Sequence, residues 1–416
     1  MLNGCVFNKK SILKKFDKTP TSGSDNLVTS GAIKEYVDGQ DSILQDQITE
    51  VLKKFIDLPA EDGKYRLSCT TEDGETIVFW EEVEPEPVQP KYLTFSCEEP
   101  FVLSTDTGLY NDGTLEYSLD AETWEDWDGS PITSTDNVIY LRGSHNTTFY
   151  SVDEDSATIL VGELVSQEPS NNKILCSGNI ESLLDHTKVE RGKHPTMGRF
   201  AFYCLFINFS LLSSAPELPS EELTESCYYQ MFRNCTSLTS APELPATTLA
   251  EGCYDGMFKN CTSLTSAPQL PATTLAIDCY SQMFENCTAL EYAPELPATE
   301  LAHSCYASMF DGCSSITSLP ELPATTLADY CYKQMFGNCT SIMVSETQTE
   351  EYTEPYRIPS SGTGEDATNS LVYMFINTGG TFTDTPQINT TYYLHTGPAP
   401  DNNLVDYALV DFAIID

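Results

Sequence analysis

The sequence predicts a multidomain, mainly β protein: a short N-terminal helix, then a β-sandwich, then a solenoid of 26-residue period. Three observations carry this reading. A Met-Phe pair recurs at Met231-Phe232, Met257-Phe258, Met283-Phe284, Met309-Phe310 and Met335-Phe336, each step 26 residues long. A fixed period in that range marks stacked repeats. Residues 91–168 run in β-branched and aromatic residues between Asp-Gly, Gly-Ser and Asn-rich turns, the pattern of short strands. Residues 32–56 carry apolar residues at helical spacing.

From the N-terminus, residues 1–20 form a basic arm ending at Pro20; residues 1–18 hold five Lys and one Asp. Lys9, Lys10, Lys14 and Lys15 are candidates for docking on an acidic partner, the alternative being a solvated terminus. In segment 21–57, Thr29 or Ser30 can cap a helix starting near Ala32. Val37, Leu44 and Val51 fall at heptad d, and Asp41, Ile48 and Phe55 at a. Val37, Leu44, Ile48, Val51 and Phe55 are the expected oligomerisation residues of a short coiled coil, which Asp41 weakens; a plain amphipathic helix is the alternative. Segment 58–80 reads as a hairpin turning at Glu72-Asp73-Gly74. Residues 81–90, EEVEPEPVQP, form an acidic, proline-rich, semi-extended linker. Segment 91–170 fits a β-sandwich of about seven strands, with Trp124 and Trp127 as packing residues. The acidic run Asp120 to Asp128 lacks the EF-hand ligand spacing.

The solenoid with its N-terminal cap spans 171–342, and 343–416 supply a C-terminal cap and β segment, including a strand pattern from Leu404 to Ile415. Each copy has room for one short strand, a turn and one short helical segment. Leu244 and its equivalents sit between two prolines, as in Pro242-Glu243-Leu244-Pro245, which end the strand and turn the corner. Worn copies precede the array at Leu205-Phe206 and follow it at Tyr373-Met374-Phe375, as terminal caps should. Strand stacking at roughly 4.8 Å per copy implies an array about 30 Å long.

Ten of the 15 cysteines form two columns, Cys227, Cys253, Cys279, Cys305, Cys331 and Cys235, Cys261, Cys287, Cys313, Cys339. They are either a disulfide ladder or buried thiols. The preceding copy has Ala201 and Phe209 in those columns, which favours thiols acting as small apolar residues. Asn234-Cys235-Thr236 and its copies match the glycosylation sequon, but as one repeat column they are read as structural.

The net charge of −41 lies outside residues 1–60, where eight Lys balance eight acids; the other 356 residues hold 13 basic and 54 acidic side chains. An acidic body disfavours nucleic acid as a partner. No apolar run of signal-peptide or membrane-span length is seen. No HExxH, GxSxG or P-loop pattern occurs, and chance pairing among 62 acids makes a carboxylate pair uninformative. The expectation is a non-enzyme without cofactor or metal.

Columns that vary between copies are the expected exposed surface: Tyr229/Asp255/Ser281/Ala307/Lys333, Arg233/Lys259/Glu285/Asp311/Gly337 and Glu251/Ile277/His303/Asp329. The candidate ligand-binding residues are Tyr229, Arg233, Lys259, Tyr292, His303 and Lys333, with Tyr292 a platform for sugar stacking. Drift of unselected surface is the alternative for each.

The run MFxNCTSLTSAPELPATTLA resembles the BspA-type leucine-rich repeats of gut Bacteroidales and their phages, over about residues 174–342. KILCSGNIESLLDHTKV followed by FAFYCLFINF resembles the cap that opens such arrays, and TSGSDNLVTSGAIKEYV resembles the helix openings of phage fibre proteins. The resemblance implies a right-handed solenoid used for adhesion. It further implies a fibre protein of a crAss-like phage virion, head or tail, attached through its N-terminal lysines to a capsid or tail protein. Such a protein would be a homotrimer, assembled in the bacterial cytoplasm and exposed on the particle, binding a host-surface glycan or protein or a mucus ligand. A bacterial surface adhesin and a capsid-decorating protein without a receptor are the alternatives.

Overall fold

The structure, a computed structural model, describes residues 65–72, 75–82, 92–104, 109–151, 160–162 and 173–395. The basic arm, the 21–57 helix with its heptad residues, residues 83–90 of the linker and the 404–415 strand pattern lie outside these residues. Two compact units divide at residues 88 and 89. In the first, β1 (Tyr65–Glu72) and β2 (Glu75–Glu82) pair antiparallel from Tyr65↔Glu82 to Glu72↔Glu75, the hairpin that the alternating runs predict. β2 continues through Glu81 and Glu82, two residues into the expected linker.

The second unit is mainly β and opens with nine strands among the described residues of 91–168, where about seven were expected. They are β3 (Leu93–Ser96), β4 (Val102–Ser104), β5 (Leu109–Asn111), β6 (Thr114–Ser118), β7 (Glu125–Asp126), β8 (Ile132–Thr133), β9 (Val138–Ser144), β10 (Phe149–Ser151) and β11 (Leu160–Gly162). β12 (Ile174–Ser177) then pairs antiparallel with β3 and parallel with β13 (Leu212–Ser214). The resulting six-stranded sheet runs β13-β12-β3-β9-β6-β7, beside a three-stranded β11-β4-β8 sheet and the β10-β5 pair. That large sheet crosses residue 170, so segments 91–170 and 171–342 share a sheet and a core: Phe95 packs against Phe206 and Phe209 at 6.2 and 6.5 Å.

β9 alternates strictly, burying Ile139, Leu141 and Gly143. Gly143 is required because a Cβ there would lie 1.8 Å from the Leu183 carbonyl oxygen. Helix α1 (Ser182–Val189), the one helix among the described residues, can thus lie against the strand. Buried Asn146 donates to the Thr114 and Leu183 carbonyls and accepts from the Gly113 N–H, so its burial carries no unpaired amide.

From residue 200 onward, the repeated copies stack. The segment bearing the Cys, Tyr, Met and Phe columns was expected to be helical. It is instead a chain of turns, because every fourth residue is left-handed: Ser226, Gln230 and Asn234 have φ of 52°, 49° and 63°. Between them two kinds of hydrogen bond alternate. Cys227, Tyr229, Met231 and Arg233 donate three residues back, to Thr224, Ser226, Tyr228 and Gln230. Ser226, Tyr228, Gln230, Phe232 and Asn234 donate to the next copy, to Glu251, Cys253, Asp255, Met257 and Lys259. The same alternation recurs at each junction through Asn338. The expected strand shrinks to isolated parallel bridges such as Glu222↔Thr248, Ser240↔Ser266 and Thr274↔Glu300. The paired prolines lack the N–H groups that would extend them.

Inside the stack, residues of the Cys, Tyr, Met and Phe columns and of the Leu238 and Leu244 columns are at most 3 % exposed. Tyr228, Tyr254, Tyr280, Tyr306 and Tyr332 stack at 5.7–5.8 Å, and Phe232 to Phe336 at 5.5–5.6 Å. This exceeds the expected strand spacing because the backbone beside these rings is a run of turns. Ala201 and Phe209 fill the cysteine columns of the first copy and are buried there.

The copy at Tyr373-Met374-Phe375 also belongs to the stack, since Phe336 donates to the Met374 carbonyl. Its distance from the preceding copy is longer because β14 (Met343–Ser345) and β15 (Tyr352–Arg357) intervene. With β16 (Gly379–Gly380) and β17 (Thr391–His395) they form a sheet in the order β15-β17-β14-β16. No further copy follows among the described residues, and outward N–H groups of this copy are met locally: Tyr373 donates to Thr385 Oγ1 and Phe375 to the Asp384 carbonyl.

The ten column cysteines are buried free thiols. Cys235, Cys261, Cys287, Cys313 and Cys339 donate their S–H to the Phe carbonyl of the preceding copy at 3.0–3.1 Å. Burial pushes these thiols up, to about 12 for Cys253 and Cys261. In folded protein at about pH 8 they should resist iodoacetamide and react once guanidinium is added; a column cysteine alkylated in the native state, by mass spectrometry, would contradict this. Phe258→Ala removes a ring stacked on both sides and should lower unfolding stability by about 3–5 kcal/mol in denaturant titration.

Candidate binding surface of the repeat stack

The variable columns were expected to be exposed, and the structure corrects this for the first. Ser281 and Ala307 are 6 % and 9 % exposed, and Tyr229, Asp255 and Lys333 are half-buried. The glutamines at left-handed positions 230, 282 and 334 hydrogen-bond to other side chains of this face. Gln230 donates to the Tyr229 hydroxyl and accepts from Arg233, Gln282 accepts from Lys259, and Gln334 donates to Asp311.

Three candidate ligand residues are therefore engaged internally. Tyr229 stacks on Tyr203 at 4.7 Å. Arg233 donates to Gln230 at 2.9 Å. Lys259 pairs with Glu285 at 2.7 Å, both side chains about one-fifth exposed. His303 and Lys333 come together around a residue the sequence did not single out: Tyr330 lies 5.5 Å from the His303 ring and 5.7 Å from Lys333 Nζ. The signal was Tyr330 itself, which replaces Ser226, Gly252, Asp278 and Ser304 in a left-handed column.

Tyr292 is separate from these. It is 65 % exposed, in the stretch between Leu290 and Pro294, and lines an open groove with Thr265, Glu291, Ser315, Thr317 and Ser341. Lys9, Lys10, Lys14 and Lys15 lie outside the described residues.

The sequon asparagines form a ladder. Asn234 donates to Asn208, Asn260 to Asn234 and Asn286 to Asn260, so the amide nitrogen that would carry a glycan is already engaged. Gly312 breaks the ladder and Asp311 takes over, accepting from Asn338 at 2.7 Å.

On the sheet, Trp124 is half-buried under the Arg142 guanidinium, 3.9 Å from its centroid, while Trp127 is buried and donates to the Ser130 carbonyl. The Asp120 and Asp128 carboxylates accept from turn N–H groups of Glu122, Thr123 and Ser130, and those bonds lower Asp120 to about 2. No group of three or more metal-ligating side chains gathers among the described residues, and no described helix is long and apolar enough to cross a membrane. Buried Glu181 accepts from both the Ser220 hydroxyl and His194 Nδ1. Serine and imidazole thus share a carboxylate, unlike a catalytic triad, where the base contacts the nucleophile.

Asp255 carries the largest carboxylate shift on this face. Burial pushes it up to about 7, with Asp278 and Glu285 adding to the rise and Lys259 opposing it. An acid with a raised folded pKa stabilises the fold below its unfolded pKa, and that contribution is lost as pH rises through the folded value. Stability should therefore fall from about pH 4 to about pH 7 through this group and level off above. Asp255→Asn should shrink the difference between denaturation midpoints at about pH 5 and pH 8; an unchanged difference would remove Asp255 as its source. Compared with protein families, curated proteins and solved structures, the chain matched none.

Proposed function

We propose that the protein is an adhesive fibre or appendage protein of a phage particle, whose repeat array is a leucine-rich-repeat solenoid presenting a binding surface. One observation carries the reading: the stacked copies keep their inward columns nearly constant and vary outward ones, with Tyr292 and His303 standing exposed. Such a stack gives an extended surface suited to a host-surface or mucus ligand. In this reading residues 91–170 form the β-sandwich spacer, residues 1–20 attach to a capsid or tail protein, and the 21–57 helix trimerises the shaft. Three arrays on one shaft would compensate for weak single-site affinity.

A capsid-decorating protein without a receptor is the second reading, favoured by the internal engagement of Tyr229, Arg233 and Lys259. The experiment that separates them is retention of the full-length chain, multivalently displayed, on mucin-coated and Bacteroidales cell surfaces. Retention above a heat-denatured control is expected; none on either surface would favour the decorating protein. Light scattering of the full-length chain beside one lacking residues 1–60 tests the shaft, with a trimer falling to a monomer as the expected result.

A further inference from the structure

We propose that the groove around Tyr292 binds a short neutral oligosaccharide lying along the stack. The inference deepens the adhesive reading above and takes from it the choice of surface. Serine occupies the same column at Ser240, Ser266 and Ser318, so the coil needs no aromatic there to fold. Yet the one aromatic in that column is 65 % exposed and stacks on no other ring among the described residues. Its open face is available to the apolar face of a pyranose.

The groove wall defines the chemistry. Its residues come from four successive copies: Thr265, then Glu291 and Tyr292, then Ser315 and Thr317, then Ser341. That length fits a few linked rings better than one. The Thr265 and Ser315 hydroxyls already donate to the carbonyls of Thr239 and Thr288. Their oxygens are left as acceptors, beside the acceptor-only carboxylate of Glu291. No Lys, Arg or His lines the groove. An acceptor-rich wall without a cation matches the many O–H donors of a neutral sugar and repels carboxylate, sulfate or phosphate groups.

The test uses the full-length chain, multivalently displayed on an array of neutral, sialylated and sulfated mucin-type oligosaccharides. Tyr292→Ser installs the residue of the neighbouring coils, and Tyr292→Phe keeps the ring. Binding to neutral members alone is expected. Tyr292→Ser should weaken it by about tenfold and Tyr292→Phe should leave it nearly unchanged. Preference for anionic sugars, undiminished binding by Tyr292→Ser, or no binding to any neutral member would overturn the proposal. Retention on mucin that survives periodate oxidation of the sugars but not proteolysis would also overturn it, as a protein ligand, with the adhesive reading intact. Array binding without retention on mucin or cells would overturn the adhesive reading and leave this site standing.

Discussion

The backbone hydrogen bonds that run from one copy to the next are the constraint on which the rest of the stack depends. In the turn chain, half of the N–H groups are satisfied within a copy and half can be satisfied only by a neighbour, as Tyr228, Gln230 and Phe232 are by Cys253, Asp255 and Met257. An isolated copy would leave these groups to water and its Met and Phe side chains without partners. Stacking solves both at once, because the register that aligns the bonds also places Phe258 between Phe232 and Phe284. Unpaired buried backbone groups are costly, so the ends must differ from the middle. Thr385 and Asp384 close the C-terminal end, and β12 ties the first copy to the strands before it.

The left-handed positions make this ladder possible and also shape the outer face. A residue with positive φ turns the chain every four residues, which keeps alternate N–H groups pointing along the stack. Asparagine and glycine suit that conformation, but Gln230, Gln282 and Tyr330 adopt it too. Their long side chains then reach over the neighbouring column. The polar groups expected to meet a ligand thus close partly on one another, and the surface left open is narrower than the variable columns imply.

The period, the buried columns and the hairpin were legible in the sequence because each is set by local pattern: Met-Phe every 26 residues, Pro-x-Leu-Pro, and alternation around Asp73-Gly74. The turn chain was not, since Cys, Met and Phe at near-helical spacing look alike in a helix and in a turn every four residues. The burial of Ser281 and Ala307 was hidden for a different reason. Both residues sit within the turn chain, bonded within their own copy and to the preceding one, which variation along a column does not reveal. The sheet shared across residue 170 was equally hidden, because β12 gives no sign that it pairs with partners on both sides. Of the candidate ligand residues, Tyr292 and His303 are exposed as expected, Tyr292 as the break in a serine column and His303 as a member of the varying Glu251/Ile277/His303/Asp329 column.

The junction geometry has a consequence for the coding sequence. Internal coils meet through the same pattern of backbone bonds, and the bonds that the C-terminal sheet and its loops make to the array reach Pro320 and Leu322, near its last full copies. Unequal crossing-over between near-identical coding copies can therefore add or remove whole coils without disturbing the rest of the fold. Such an event changes how far Tyr292 stands from either end of the array. Array length is thus a heritable variable that the fold tolerates in integral steps.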